Sequence, residues 1–236
     1  MKRRKIVRTL LCLFIGVLLG ITSYYIALIK LSAYYDGDHT KFNNNDVINV
    51  IFVNEKYKIL DYIDEKDVTI LMLPIVFLFL GMILSSDYLF LPQKYYCFIG
   101  SRNGTYRKLL SYIYGTPIIN SLVYSLSYII AIYSCAEHKV DNHIFTMIPV
   151  YSLFLLIISR LSFIVHQKYN GGIAMIIGML CIVMFYMADM YIERFHILLY
   201  DNSVHWFYNI MTLAIIILVL INSEKFIIKR RTVYVT

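Results

Sequence analysis

The chain has 236 residues, of which 59% are hydrophobic and 16% charged, with a formal charge of +7. Globular chains carry about 25% charged residues, and a soluble fold of this size would be left with more apolar side chain than it could bury, which excludes a water-soluble enzyme and a disordered chain. Lipid is the solvent this composition implies. The positive charge leaves nucleic acid or the cytoplasmic face of a membrane as its partner, and the two differ in where Lys and Arg fall.

A hydrocarbon core about 30 Å thick needs roughly 20 apolar residues of helix to cross it. Six uncharged runs approach that length, at 9–29, 68–86, 109–135, 144–159, 171–188 and 204–223. The expected fold is therefore all-α, a single polytopic membrane domain over 1–236 with six transmembrane helices. A basic start before the first run has the look of a signal peptide, but the run exceeds the roughly 7–15 residues of a signal core and no A-x-A site follows. The fourth run is short, and snorkelling of Arg160 would extend it to about His166.

Between the first two runs lies the long connection 30–67, expected outside the cell. Within it Ile59, Leu60 and Ile63 stand at helical spacing, which predicts a short surface helix over 57–67, with Asp67 capping the next span. The segment 87–108 follows the second run. There Pro92 stops a helix and Gly100 and Gly104 permit turns, while Tyr95, Tyr96, Phe98 and Tyr106 alternate with Lys94, Arg102, Arg107 and Lys108, a mixture suited to the headgroup layer. Asp87, just past the second span, could pair with one of these cations or sit alone at the interface. Segment 189–203 again mixes aromatics with charges, as an outer hairpin would.

Charge fixes the orientation. Segments 1–8, 87–108, 160–170 and 224–236 hold 15 of the 22 basic residues and two of the 15 acidic ones. One face therefore carries +13 and the other −6, and the positive-inside rule places both termini in the cytoplasm. Topology accounts for the net charge, so no nucleic-acid partner is expected.

Catalytic signatures are missing. The sequence has no H-E-x-x-H, no G-x-S-x-G and no phosphate-binding G-x-x-x-x-G-K-[ST], and its six histidines form no i, i+4 pair within a run. The four cysteines contain no C-x-x-C pair. No catalytic residue, metal or cofactor is expected, and ATP-driven work would need a separate subunit. Cys97 with His166 is the best available nucleophile and base, and defines an alternative reading as an intramembrane peptide-processing enzyme. A second alternative is a stand-alone immunity or sensor protein whose acidic outer loop binds a cationic peptide.

Polar residues inside the runs point to protein-facing surfaces. Thr116, Asn120 and Tyr124 recur at i, i+4 with Ser121 and Ser125 beside them, and an Asn facing lipid is costly, so this face should look into protein or a water-filled path. Ala174 and Gly178 form a small-x-x-x-small pair that permits close helix approach.

The layout resembles the permease subunits of type-2 ABC exporters, in particular the small permeases of bacteriocin and antimicrobial-peptide export or self-immunity systems in low-GC Gram-positive bacteria. The resemblance rests on six spans with both ends inside, the outer loop after span one, the hairpin before span six, and Gly100-Ser101-Arg102 followed by Tyr106-Arg107-Lys108. It departs from the family in Gly104 and Tyr106, where a longer helix with Trp is common, and in the reduction of the N-terminal elbow to KRRK. The resemblance implies that Gly100, Ser101, Arg102, Tyr106, Arg107 and Lys108 dock into a separate ATPase. It also implies a second permease copy or sister permease in the bacterial plasma membrane, with an amphipathic or antimicrobial peptide as cargo.

Overall fold

A computed structural model describes residues 2–38, 42–52, 68–86, 106–137, 140–191, 198 and 206–233. Among these every regular element is helical: α1 (Lys2–Tyr34), α2 (Asn44–Ile51), α3 (Val68–Ser85), α4 (Tyr106–Cys135), a 3₁₀ turn at Asn142–Thr146, α5 (Met147–Lys168), α6 (Gly171–Tyr191) and α7 (Trp206–Val233). Helices are what apolar runs must form in lipid, because only there does each segment satisfy its own backbone. Four stretches are long and apolar enough to cross a membrane: Lys5–Tyr34, Gly115–Cys135, Asn142–His166 and Gly171–Asp189. Shorter apolar stretches, Met72–Ser85 and Phe207–Ser223, lie in α3 and α7.

α1 packs chiefly on α4, and α5 lies at the centre against α3, α4, α6 and α7. Side chains sort inversely to those of a soluble bundle. On α4 the outward arc is Ile118, Ile119, Leu122, Leu126 and Ile130, while Thr116, Asn120, Ser121, Ser125 and Ser127 are buried. On α6 Ile176, Leu180 and Met184 face out, Met184 at 70% exposure, and Ala174 and Ile182 face in. On α4 the 3.6-residue period is intact with its polarity reversed, and on α6 the outward face is likewise apolar, as expected when the surroundings are apolar.

The long connection after α1 contains a helix that the sequence reading did not anticipate. Its described helix is α2, and the expected helix at 57–67 lies outside the described residues, with Asp67 and Asp87. α2 opens with a capping box: Asn43 Oδ1 accepts from the Asp46 N–H at 3.0 Å, and Asp46 Oδ2 accepts from the Asn43 N–H at 2.8 Å. The helix then buries Val47, Ile48, Val50, Ile51 and the following Phe52. The loop thus folds back onto the bundle.

The fourth run does extend to His166, although Arg160 is 2% exposed within α5 and does not reach outward. α6 runs to Tyr191, and of the segment expected as an outer hairpin only 189–191 and 198 are among the described residues.

Candidate functional site

The bundle contains two interior layers, one at the end where α1 begins and one at the end where α2 sits. The first layer is polar. Arg8 donates from Nε to the Leu84 carbonyl and from Nη2 to the Ile83 carbonyl, each at 2.9 Å. These are carbonyls of the last turn of α3, which lack helical partners, and a cation there also complements the helix dipole. One turn along α1, Thr9 Oγ1 donates to Asn120 Oδ1 at 2.9 Å and lies 3.1 Å from the Lys5 carbonyl. Ser85 donates to the Gly81 carbonyl at 2.7 Å. On α5, Ser159, Arg160, Ser162 and His166 are all buried, with Arg160 5.8 Å from the Phe163 ring centre.

The second layer is aromatic. Phe77 of α3 stacks on Tyr124 and Tyr128 of α4, with ring centres 4.9 and 3.9 Å apart, and lies 5.2 Å from the Tyr151 ring of α5. Phe52, at the end of α2, comes within 5.9 Å of Tyr151 and 6.3 Å of Tyr128. Each hydroxyl finds a defined acceptor: Tyr124 the Phe77 carbonyl at 2.8 Å, Tyr128 the Ser23 Oγ at 3.2 Å, and Tyr151 the Leu198 carbonyl at 3.4 Å. The Leu198 N–H donates to Asp189 Oδ2 at 2.6 Å, so this residue of the hairpin is pinned between α5 and α6. Asn44 ties α2 to its neighbours, accepting from the Tyr24 hydroxyl at 3.1 Å and donating to the Ala136 carbonyl at 2.9 Å.

Of the residues singled out from sequence, Thr116, Asn120 and Tyr124 lie on one buried face of α4, at 5%, 0% and 0% exposure. Their face looks into protein, with Thr9 of α1 against Asn120 and Phe77 against Tyr124. Ala174 is buried, and a Cβ on Gly178 would collide with Met82 and come 2.6 Å from Ser162 Oγ, so this pair does allow α6 to close on α3 and α5. Tyr106, Arg107 and Lys108 form the first turn of α4. Gly100, Ser101 and Arg102 lie outside the described residues, as does Cys97; its suggested partner His166 is buried at the end of α5.

Sequence reasoning overlooked the tightest seam. Gly16 and Gly20 form a G-x-x-x-G pair in α1, and any side chain there would strike α4: a Cβ on Gly16 collides with Ser127, and one on Gly20 comes 2.6 Å from the Tyr128 carbonyl oxygen. The spacing was visible in the first run and is the known signature of close approach between helices in lipid. Arg8, counted only as a topological charge, turns out to close the end of α3.

Among the described residues no group of His, Cys, Asp and Glu could hold a metal ion. The arrangement offers a polar layer shielded from the outer apolar face, and a ring-packed layer closing the opposite end. No family model, no curated protein and no solved structure matches the chain.

Proposed function

We propose that the chain is the membrane-spanning subunit of an ATP-driven exporter, a six-helix permease of the type-2 ABC kind with both termini cytoplasmic in a bacterial plasma membrane. The observation that carries the membrane part is the packing of α4, polar inward and apolar outward, together with the apolar outer face of α6. In this reading α3 and α7 supply the remaining two crossings, continuing the runs 68–86 and 204–223. Orientation rests on the +13 against −6 division of charge.

The motor part rests on the resemblance of Gly100 to Lys108 to a coupling element. Because Tyr106–Lys108 opens α4, a thrust delivered there would act on the helix that carries Thr116, Asn120 and Tyr124 and packs along α1. ATP belongs to the partner subunit, and the cargo is an amphipathic peptide moved for export or self-protection.

Purification in mild detergent tests the partnership. The wild-type chain should bring down an ATP-binding subunit, and Arg102→Glu combined with Arg107→Glu should release it. Retention after the double reversal removes the coupling segment, and failure to recover any ATPase shifts the reading to a stand-alone immunity or sensor protein or to a peptide-processing enzyme using Cys97 and His166. Orientation is tested separately: a cysteine placed at Asn103 should resist a membrane-impermeant maleimide in intact cells and react once the cells are opened.

A further inference from the structure

Two side chains on the buried face of α4 have polar atoms with no hydrogen-bond partner, the Thr116 hydroxyl and the Asn120 Nδ2. They stand one helical turn apart at 5% and 0% exposure. Between them in sequence is Pro117, which is inside the helix and has no N–H. The carbonyl of Ile113, four residues earlier and on the same stripe, thereby loses its helical donor. An acceptor and two unpartnered polar side chains thus fall within about two turns of α4, the helix against which α1 packs.

Thr9 sharpens the accounting. Its single hydroxyl proton cannot serve both Lys5 O, at 3.1 Å, and Asn120 Oδ1, at 2.9 Å. If the proton goes to Lys5, the Asn120 amide turns over so that its NH₂ donates to Thr9, and the oxygen becomes the unpartnered end. In one arrangement Asn120 needs an acceptor, in the other a donor. Water is the small molecule that answers both, while also donating to Ile113 or exchanging a bond with Thr116.

We propose that the break in α4 at Pro117 holds a resident water molecule, bridging the Ile113 carbonyl, the Thr116 hydroxyl and the Asn120 amide against α1. The site is a property of the folded chain and does not require a motor or a cargo. It makes this seam hydrated in a bundle whose outer face is apolar, and gives the Thr116–Asn120 stripe a ligand of its own.

Protein reconstituted in lipid nanodiscs and labelled with ¹⁵N-asparagine should show magnetisation transfer from water to one slow-exchanging side-chain amide, assigned to Asn120 by its loss in Asn120→Asp. Thr116→Val, which keeps the shape and removes the hydroxyl, should weaken that transfer and lower the thermal midpoint by roughly 2–4 °C. An Asn120 amide silent to water overturns the proposal. So does a raised midpoint in Thr116→Val, which would mean that the hydroxyl was buried dry and that its removal relieved a penalty. Should Asn120→Asp fail to fold, Asn120→Gln serves for the assignment, because glutamine carries no label in this sample and the signal is lost there too.

Discussion

The two ends of the bundle are held by different forces, although the same helices supply both. Where α2 sits, rings of α3 and α4 stack and the α5 ring of Tyr151 packs tilted against them, and each buried tyrosine hydroxyl named there spends its proton on one neighbour. Where α1 begins, the interior is serine, threonine, asparagine, arginine and histidine, and cohesion comes from bonds such as Arg8 to the end of α3. Aromatic stacking and close fit act in any solvent, but hydrogen bonds count for more when the alternative is hydrocarbon. The contrast teaches that a lipid-embedded bundle can be specified by shape at one end and by polarity at the other.

The largest expected effect breaks the aromatic end. Phe77→Ala removes the ring shared by Tyr124, Tyr128 and Tyr151 and should cost about 3–5 kcal/mol, read as a lower thermal midpoint in detergent by size-exclusion chromatography after heating. At the polar end Arg8→Met deletes two charge-assisted bonds to α3 and should cost about 1.5–3 kcal/mol in the same assay. If Arg8→Met proved the more damaging of the two, the assignment of shape to one end and polarity to the other would be reversed.

The seam joining the ends is tested by size. Gly16→Leu forces α1 away from Ser127 and the Tyr124 backbone, with an overpacking cost of about 1–3 kcal/mol, whereas Gly172→Ala, whose added carbon meets only Asn170 Oδ1 at 3.6 Å, should leave the protein unchanged. Smallest is Asn44→Ala, which releases α2 from Tyr24 and Ala136 at a cost of about 1 kcal/mol; its sharper readout is faster proteolytic cleavage after α1 with the bundle otherwise intact.

Much of this was legible in the chain before folding. The polar stripe Thr116-Asn120-Tyr124 was read from its spacing and the cost of an amide in lipid as facing protein or a water-filled path, and its side chains are buried. Helical fate followed from the apolar runs. Arg160 was misjudged because a lone cation near the end of a run usually reaches for water, whereas here α5 is the central helix and its neighbours enclose it. α2 was missed because an eight-residue helix gains its stability from burying Val47, Ile48, Val50 and Ile51 against other helices, and local periodicity does not reveal that.

The sequence by itself determined the solvent, the helical class and the buried face of α4, because hydrophobicity and the 3.6-residue period are local quantities that any segment carries with it. Only the tertiary structure decided that α1 closes on α4 through Gly16 and Gly20, that Arg8 caps α3 and that Phe52 enters the ring cluster. Those depend on which surfaces meet across more than 70 residues of chain, and contact at that range is set by the mutual fit of side chains.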